Sequence, residues 1–190
     1  MKLLIASNNQ HKIEEIKAVL DGKFEEITTL SDENIVCDPE ENGETFHENA
    51  LIKAKAVAKH TDKVVLADDT GLCVTSLNGR PGVNSARYAA NHDSLANRRK
   101  LLSELENTTD RSAYFKTVVV LLYPDDKVVT GEGEVHGHII EAEQGTNGFG
   151  YDSIFYSDEL NKTFAEASTA EKLTVSHRSR ALRDLLNKLQ

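Results

Sequence analysis

Short apolar runs alternate with amphipathic segments along this chain, a pattern that predicts an α/β protein. Residues 3–6 and 64–67 are continuous apolar runs, which is typical of strands buried on both faces. Between these runs, Ile13, Ile16 and Leu20 recur on one face of a helix. We therefore expect strands and helices to alternate in the first part of the chain.

The same alternation continues toward the carboxyl end. Thr45 followed by Glu48 forms the capping box of a helix that runs to about His60. Residues 112–123 and 127–140 predict two long strands that pair as an antiparallel hairpin. The other predicted elements are strands at 24–28, 34–37, 72–77 and 153–156, a helix at 93–105 and a final helix after Ser176.

Charge and cysteine content limit the possible partners. The 190-residue chain has a formal net charge of −9, which disfavours non-specific nucleic-acid binding through lysine and arginine contacts to phosphate. A small polyanion can still bind if local cations or a metal overcome the repulsion. Cys37 and Cys73 lack metal-ligand spacing, so we expect reduced thiols in a cytoplasmic protein. No apolar run is long enough for a signal peptide or a membrane span, and we expect no membrane partner.

A polar hexapeptide separates the first predicted strand from the first predicted helix. It consists of Ser7, Asn8, Asn9, Gln10, His11 and Lys12. Backbone N–H groups and the helix dipole favour a phosphate at such a position, and Lys12 adds a positive charge. The alternative is a helix N-cap with a solvated lysine. The position directly after a buried strand favours the phosphate.

Two adjacent carboxylates, Asp68 and Asp69, follow the second buried run. Like charges raise each other's pKa, and a divalent cation is a common way to resolve this repulsion. Mg²⁺ needs only one or two carboxylates, and Glu41 on an acidic loop offers a further oxygen ligand. A strand would direct Asp68 and Asp69 to opposite faces, so both need not contact one ion. The alternative is an acidic turn in which Gly71 takes a positive φ.

The stretch 145–152 combines three glycines with two aromatic rings and a carboxylate. Glycine lets the backbone approach a ligand closely, and Phe149 and Tyr151 offer ring faces that stack on a base. The alternative is a surface loop whose aromatic rings pack into the core. Further along, His177 and Arg178 fall in the first turn of the last predicted helix. Cations there oppose the helix dipole, which favours an anionic or carbonyl-bearing ligand facing them.

Together these motifs resemble the non-canonical purine nucleoside-triphosphate pyrophosphatases, the inosine/xanthosine triphosphatase family. The resemblance covers essentially the whole chain, and the motifs occur in the family's order. It rests on residues 7–12, residues 45–50 with Lys53, residues 67–72, residues 81–83 and 85–88, residues 148–152, and Lys172 with residues 176–178.

The resemblance implies an α/β, two-lobed fold around a long mixed β-sheet with flanking helices and a central cleft. Residues 1–190 would form a single domain, and the protein would be a homodimer. The implied activity is Mg²⁺-dependent hydrolysis of ITP, dITP and XTP to the monophosphate and pyrophosphate. Such an enzyme removes deaminated purines from the nucleotide pool.

The resemblance also implies a role for each motif. Asp69 would be the general base and a metal ligand, with Asp68 and Glu41 completing the metal environment, and Thr70 would contact the substrate. The triphosphate would be held by Ser7, Asn8, Asn9, Gln10, His11, Lys12 and Lys53. The base would be enclosed by Phe149, Gly150, Tyr151, Asp152, Lys172, His177 and Arg178.

Selection among purines would depend on the six-position of the base. Inosine and xanthosine carry a carbonyl there, whereas adenine carries an amino group. Donors from Lys172, His177 or Arg178 would bond the carbonyl and repel the amino group. The aromatic rings would add stacking or shape but little choice between purines, and Asp152 and the loop backbone would contribute the rest.

Three positions depart from the commonest family pattern. Asn147 stands where a glycine is usual, Ser153 where a proline is usual and Thr70 where a serine is usual. Thr70 keeps the hydroxyl group, Asn147 tolerates a left-handed backbone, and Ser153 loses the fixed φ of proline. None of the three removes a proposed chemical group, so we expect effects on loop rigidity and fine specificity.

Two alternative functions make different demands on the sequence. A Maf-type nucleotide pyrophosphatase would call for a Ser-Pro-Arg-Arg-like run after the first strand, where this chain has residues 9–12, Asn-Gln-His-Lys. A nucleotide-binding sensor without turnover would lack Lys12 or a carboxylate of the acidic pair. The chain retains these groups, which favours an active enzyme.

Overall fold

A computed structural model describes residues 1–190 and contains a seven-stranded sheet in the order β2-β1-β3-β4-β5-β6-β7. The strands are β1 (Lys2–Ile5), β2 (Glu26–Thr29), β3 (Val64–Val74), β4 (Ser112–Leu122), β5 (Val128–Ile139), β6 (Phe155–Ser157) and β7 (Lys162–Thr163). The α-helices are α1 (Gln10–Leu20), α2 (Phe46–Ala58), α3 (Ser94–Glu104), α4 (Thr169–Val175) and α5 (His177–Lys188). Two 3₁₀ helices cover Thr75–Leu77 and Gly82–Arg87. The fold is therefore α/β with a mixed sheet, as the sequence pattern predicts.

The chain divides into two compact units. Unit 1 consists of Met1–Asp69, Thr117–Gly133 and Arg178–Gln190. Unit 2 consists of Thr70–Lys116 and Glu134–His177. Three of the four unit boundaries fall inside β3, β4 and β5, and the fourth falls within the first turn of α5.

In unit 1, β1 lies between two parallel neighbours. Leu3 pairs with Ile27 on β2 and with Val64 on β3. Leu3 and Ile5 pack with apolar side chains of α1 and α5, whereas Leu4 packs with those of α2. Because alternate residues of β1 belong to two separate clusters, the strand is covered on both faces, which explains its continuous apolar run.

In unit 2, the core is rich in aromatic side chains. Phe115 lies 4.7 Å from Phe155 and 5.9 Å from Phe164 between ring centroids. Strand β6 pairs antiparallel with β5 and with β7. Helix α3 contributes Leu101 to the same core, and this contact anchors the helix in unit 2.

Most predicted elements are confirmed, and three are corrected. Residues 34–37 form no strand, since Ile35 packs on the α2 cluster while Val36 is 98% exposed and the segment has no strand partner. The acidic pair lies inside β3 and not in a turn, because β3 runs unbroken through Gly71. Residues 75–77 form a 3₁₀ helix and do not extend the strand. Strand β7 and helix α4 are additional elements that the apolar pattern does not predict.

No helix combines the length and the apolar character that crossing a membrane requires.

Gly131 on β5 is a point of close backbone packing in unit 1. A Cβ atom there would lie 2.3 Å from the Ala181 carbonyl oxygen and 2.7 Å from the Leu185 nitrogen, both backbone atoms of α5. We expect Gly131→Ala to lower the free energy of unfolding by about 1–3 kcal/mol, because α5 must shift. Denaturant unfolding measures this change. Val128→Ala, at a partly exposed site on the same strand, should stay within about 0.5 kcal/mol of wild type, and equal stabilities of the two variants would contradict the packing argument.

Candidate active site

The hexapeptide 7–12 forms the entry to α1 in unit 1. Asn9 is the N-cap of the helix, and its side chain accepts a hydrogen bond from the Lys12 backbone N–H at 3.3 Å. Ser7 Oγ accepts one from the Asn9 N–H at 3.2 Å. Residues 8–11 are exposed, so the amino end of α1 is open to an anion.

Lys12 belongs to the capping turn of α1, but its ammonium group is paired with a carboxylate and is not solvated. Its Nζ lies 3.0 Å from Asp68 Oδ2, and Arg178 Nε lies 3.5 Å from the same oxygen. Arg178 also pairs through Nη1 with Glu15 on α1. Asp68 and Arg178 are almost completely buried. Two acidic and two basic side chains therefore neutralise one another inside unit 1.

The ionisation of Asp68 follows from these neighbours. Burial alone would raise the pKa of its carboxyl, but the positive charges of Lys12, Arg178 and Lys53 outweigh burial and hold the pKa far below its usual range. For Lys12, burial lowers the pKa of the ammonium, and the charge of Asp68 offsets this only in part. Asp68 is therefore ionised at neutral pH.

Asp69, the next residue of β3, has different partners. Its Oδ2 accepts a hydrogen bond from Asn49 Nδ2 at 3.1 Å, and Asn49 Oδ1 accepts one from the Gly43 N–H at 2.8 Å. Burial and the nearby charge of Glu41 raise the pKa of Asp69 to about 6, against the opposing influence of Lys53, Lys12 and the Asn49 hydrogen bond. A carboxylate poised near neutral pH has the pKa expected of a general base.

Lys53 connects α2 with the acidic loop. Its Nζ lies 3.2 Å from Glu41 Oε2, and both side chains are partly buried. Burial works against the ammonium, but the charges of Asp68, Glu41 and Asp69 outweigh it and raise the pKa of Lys53. Lys12 and Lys53 therefore place two cations beside the acidic pair.

The donor set can be compared with what Mg²⁺ requires. No cluster of three or more His, Cys, Asp or Glu side chains is arranged to hold a metal. Mg²⁺ needs only one or two carboxylates when substrate phosphates and water complete its shell, and Asp69 with its electrostatic neighbour Glu41 fits that requirement. Asp68 fits less well because two cations already neutralise it. The assignment of Asp69, Glu41 and Asp68 as metal ligands stays a prediction.

In unit 2, the loop 145–152 folds around the carboxylate of Asp152. Asp152 Oδ2 accepts hydrogen bonds from the Phe149 N–H at 3.1 Å and from Lys172 Nζ at 2.8 Å. Gly148 has a φ of 74°, and a Cβ atom there would lie 2.2 Å from that same oxygen. The Lys172 ammonium also lies 4.9 Å from the centroid of the Phe149 ring. Asp152 and Lys172 thus form a buried pair that shapes the loop.

The two aromatic rings of the loop have different environments. Phe149 is half-buried, whereas Tyr151 is buried and its hydroxyl donates to the Ser85 carbonyl at 2.6 Å. Ser85 Oγ in turn accepts a hydrogen bond from the Leu72 N–H at 2.9 Å. Tyr151 therefore connects the loop to the 3₁₀ helix at 82–87, and Phe149 is the ring better placed to contact a ligand.

His177 and Arg178 are consecutive, but their side chains have partners in different units. The His177 ring is buried and stacks on Phe115 at 4.7 Å between centroids and on Phe164 at 6.2 Å. Arg178 belongs to the ion-pair network of unit 1. Thr70, the residue after Asp69, is half-buried on β3.

The sequence predictions assign no role to three residues that make contacts in this site. Asn49 holds Asp69, Glu15 pairs with Arg178, and Ser85 accepts from Tyr151. A polar residue beside the apolar face of a predicted helix is a usable signal for Asn49. Glu15 lies away from the apolar stripe of Ile13, Ile16 and Leu20, so its burial beside Arg178 has no such signal in the sequence. The Ser85 contact uses its backbone carbonyl, and no side-chain pattern reports that.

The raised pKa of Asp69 has a consequence for stability. Between the unfolded pKa of about 3.9 and the folded value of about 6, rising pH ionises the carboxyl of the unfolded chain while that of the folded protein stays protonated. Wild type therefore loses stability relative to a neutral variant across this range, and the loss levels off above the folded pKa. We expect Asp69→Asn in EDTA to gain about 2–3 kcal/mol on wild type between pH 4 and pH 8. Urea unfolding across that range measures this gain. The exposed Asp62→Asn serves as the control, and a flat difference for Asp69→Asn would disprove the shift.

Comparison with known proteins places the chain in a family. The Ham1 family model matches residues 3–188. A dITP/XTP pyrophosphatase of Leuconostoc mesenteroides is 47% identical over 100% of this chain and 96% of its own length, and one of Bacillus licheniformis is 45% identical over 97% and 95%. The solved structure of the Staphylococcus aureus Ham1 protein is 43% identical with a TM-score of 0.88, covering 100% of this chain and 98% of that chain. A HAM1 protein from Coxiella burnetii has a TM-score of 0.90 at 38% identity and the same coverage. The chain belongs to the Ham1 family.

Proposed function

We propose that this protein is a nucleoside-triphosphate pyrophosphatase that hydrolyses dITP, ITP and XTP to the monophosphate and pyrophosphate. Its full-length similarity to proteins named dITP/XTP pyrophosphatase supports the reaction class. The observation that carries the proposal is Asp69, a buried carboxylate with a pKa of about 6 beside two lysines. Such a group suits water activation next to a polyanion.

The triphosphate is assigned to unit 1. The open amino end of α1 offers backbone N–H groups. The residues assigned to the triphosphate at this end are Ser7, Asn8, Asn9, Gln10 and His11. Lys12 and Lys53 supply the positive charge that an acidic protein needs in order to hold a polyanion. Thr70 is assigned a substrate contact because it follows Asp69 directly.

Asp69 is assigned the role of general base. Ionised at neutral pH and held by Asn49, it orients a water molecule toward the α-phosphorus and accepts its proton. Asp69 and Glu41 would hold Mg²⁺, with Asp68 as a predicted further ligand. The ion, when bound, supplies charge neutralisation for the phosphates. Lys12 and Lys53 neutralise charge on the departing pyrophosphate.

Base recognition is assigned to Phe149, Gly150, Tyr151, Asp152, Lys172, His177 and Arg178. The exposed fraction of Phe149 gives a face for the purine, and Tyr151 holds the loop in place. Donors among Lys172, His177 and Arg178 favour a carbonyl at the six-position over an amino group, because the amino group leaves buried donors unpaired. Asp152 fixes the Lys172 ammonium and so sets where one of these donors lies.

We also propose that residues 1–190 act as one two-lobed domain in a cytoplasmic homodimer. Cys37 and Cys73 are free cysteines, which agrees with a reducing compartment. The proposed substrates belong to the nucleotide pool of such a compartment.

The first prediction of the proposal concerns substrate choice. Pyrophosphate release should be fast with ITP, dITP and XTP and at least about a hundredfold slower in kcat/KM with ATP, because an amino group at the six-position leaves buried donors unpaired. Release should also require Mg²⁺. Chromatographic separation of nucleoside monophosphate from triphosphate, in reactions with and without EDTA, measures both. Equal turnover of ATP, GTP and ITP would contradict the proposed specificity. A preference for nucleotides other than ITP, dITP and XTP would favour a Maf-type enzyme.

The second prediction concerns Asp69. We expect Asp69→Asn to lower kcat by at least about a thousandfold, because the base is lost, while ITP binding persists. Single-turnover kinetics and calorimetric titration separate the two effects. Asp62→Asn, an exposed acid in the same unit, should behave as wild type. Wild-type protein that binds ITP without turnover would support a sensor, and near-normal kcat in Asp69→Asn would reject the assigned role.

A further inference from the structure

The base loop 145–152 is closed at its two ends by the side chains that flank it. Glu143 lies just before the loop and Ser153 just after it, and Ser153 Oγ donates to Glu143 Oε1 at 2.9 Å. The backbone reinforces this closure, since the Gln144 N–H donates to the Ser153 carbonyl at 2.9 Å. The neck of the loop is therefore joined by a side-chain and a backbone hydrogen bond.

Arg98 on α3 connects this neck to the rest of unit 2. Its Nε pairs with Glu143, and its Nη1 donates to the Gly150 carbonyl at 2.8 Å. The guanidinium thus contacts both the neck and the interior of the loop, one residue from Phe149. The planar fork of the Arg98 guanidinium suits two acceptors at once.

Helix α3 gives Arg98 a fixed base. Asn97, the preceding residue, is buried; its side chain accepts from the N–H groups of Ala89 and Ala90 at 2.6 and 3.0 Å and donates to the Ala86 carbonyl at 3.1 Å. Leu101 on the same helix is fully buried in the unit 2 core. Because α3 is held on both sides of Arg98, the arginine transmits a fixed position to the loop.

The loop has a physical need for such support. Gly145, Gly148 and Gly150 all take positive φ, and glycine loses more conformational entropy on ordering than other residues do. Ser153 leaves φ unconstrained at a position where proline would fix it. Residues 144–148 are exposed, and within this stretch the Asn147 N–H and Nδ2 donate to the Ala165 and Ala167 carbonyls at 2.9 and 3.1 Å. Without additional contacts, several loop conformations would compete and ligand binding would have to select one of them.

We propose that Arg98, with Glu143 and Ser153, is a positioning device that holds the loop 145–152 in its base-binding conformation. The three residues contact no reacting group. The inference rests on the proposed function, because it assigns the loop to the purine base.

The decisive comparison uses two neighbouring arginines on α3. Arg98→Met removes both contacts to the loop, whereas Arg99→Met alters an exposed arginine of the same helix and is the matched control. We expect Arg98→Met to raise KM for ITP about tenfold with kcat within about twofold of wild type, since a lost charged hydrogen bond affects binding and not the chemical step. Arg99→Met should match wild type in both constants. Equal KM values in the two variants, with the fold intact by thermal unfolding, would overturn the proposal.

Rescue distinguishes positioning from a general packing defect. Ser153→Pro introduced into Arg98→Met should lower the raised KM most of the way back to the wild-type value, because proline restricts the loop neck by a different route. Failure of rescue, with a folded double variant, would reject the proposal. If Arg98→Met does not fold, Ser153→Ala tests the same neck without touching α3: a several-fold rise in KM supports the device and an unchanged KM rejects it.

The proposed function and this inference fail separately. Absence of ITP turnover by the wild-type protein contradicts the function itself. Wild-type turnover with identical Arg98→Met and Arg99→Met kinetics contradicts only the positioning role. As an internal reference, inhibition by inorganic triphosphate, which carries no base, should be the same in all these variants.

Discussion

Two carboxylates on consecutive residues of one buried strand are tolerated here because the pleat of β3 separates them. Asp68 meets Lys12 and Arg178, whereas Asp69 meets Asn49. The two side chains are chemically identical, but their neighbours make one a permanent anion and the other a group whose pKa is about 6. A structural counter-ion and a poised base thus arise from adjacent positions of one strand.

The buried charges around Asp68 are better explained by organisation than by stability. Removing charges from water costs several kcal/mol per ion, and a buried pair recovers this only with good geometry. Here α1 contributes Glu15 and Lys12, β3 contributes Asp68 and α5 contributes Arg178, so one network fixes three elements of unit 1 relative to one another. In unit 2, Asp152 has a comparable role, because a single carboxylate holds both Lys172 and the Phe149 backbone.

The apolar pattern predicts the repeating parts of the fold well, because burial on one or two faces leaves a period in the sequence. It fails where burial is not periodic: Ile35 is apolar because it packs on α2, not because residues 34–37 pair as a strand. It misses α4, although Ser168 and Glu171 form a capping box, because the helix has only seven residues. For the site, motifs identify the charged groups but not their pairing. That Asp68 faces cations and Asp69 faces Asn49 depends on the distance between elements far apart in the chain, and so does the Tyr151 contact with a backbone carbonyl.

The division of the chain into two units affects the order in which their hydrophobic cores can form during synthesis. Unit 2 ends at His177, so all of its residues have been synthesised before α5 is finished. Unit 1 contains the first strand yet draws Leu182 and Leu185 of α5 into its core. The hydrophobic surface of Met1–Asp69 is therefore fully covered only after α5 has been synthesised, at roughly 5–20 residues per second. Until then part of the apolar surface of unit 1 stays exposed, and a truncation that removes Leu182 and Leu185 takes core side chains from unit 1 and none from unit 2.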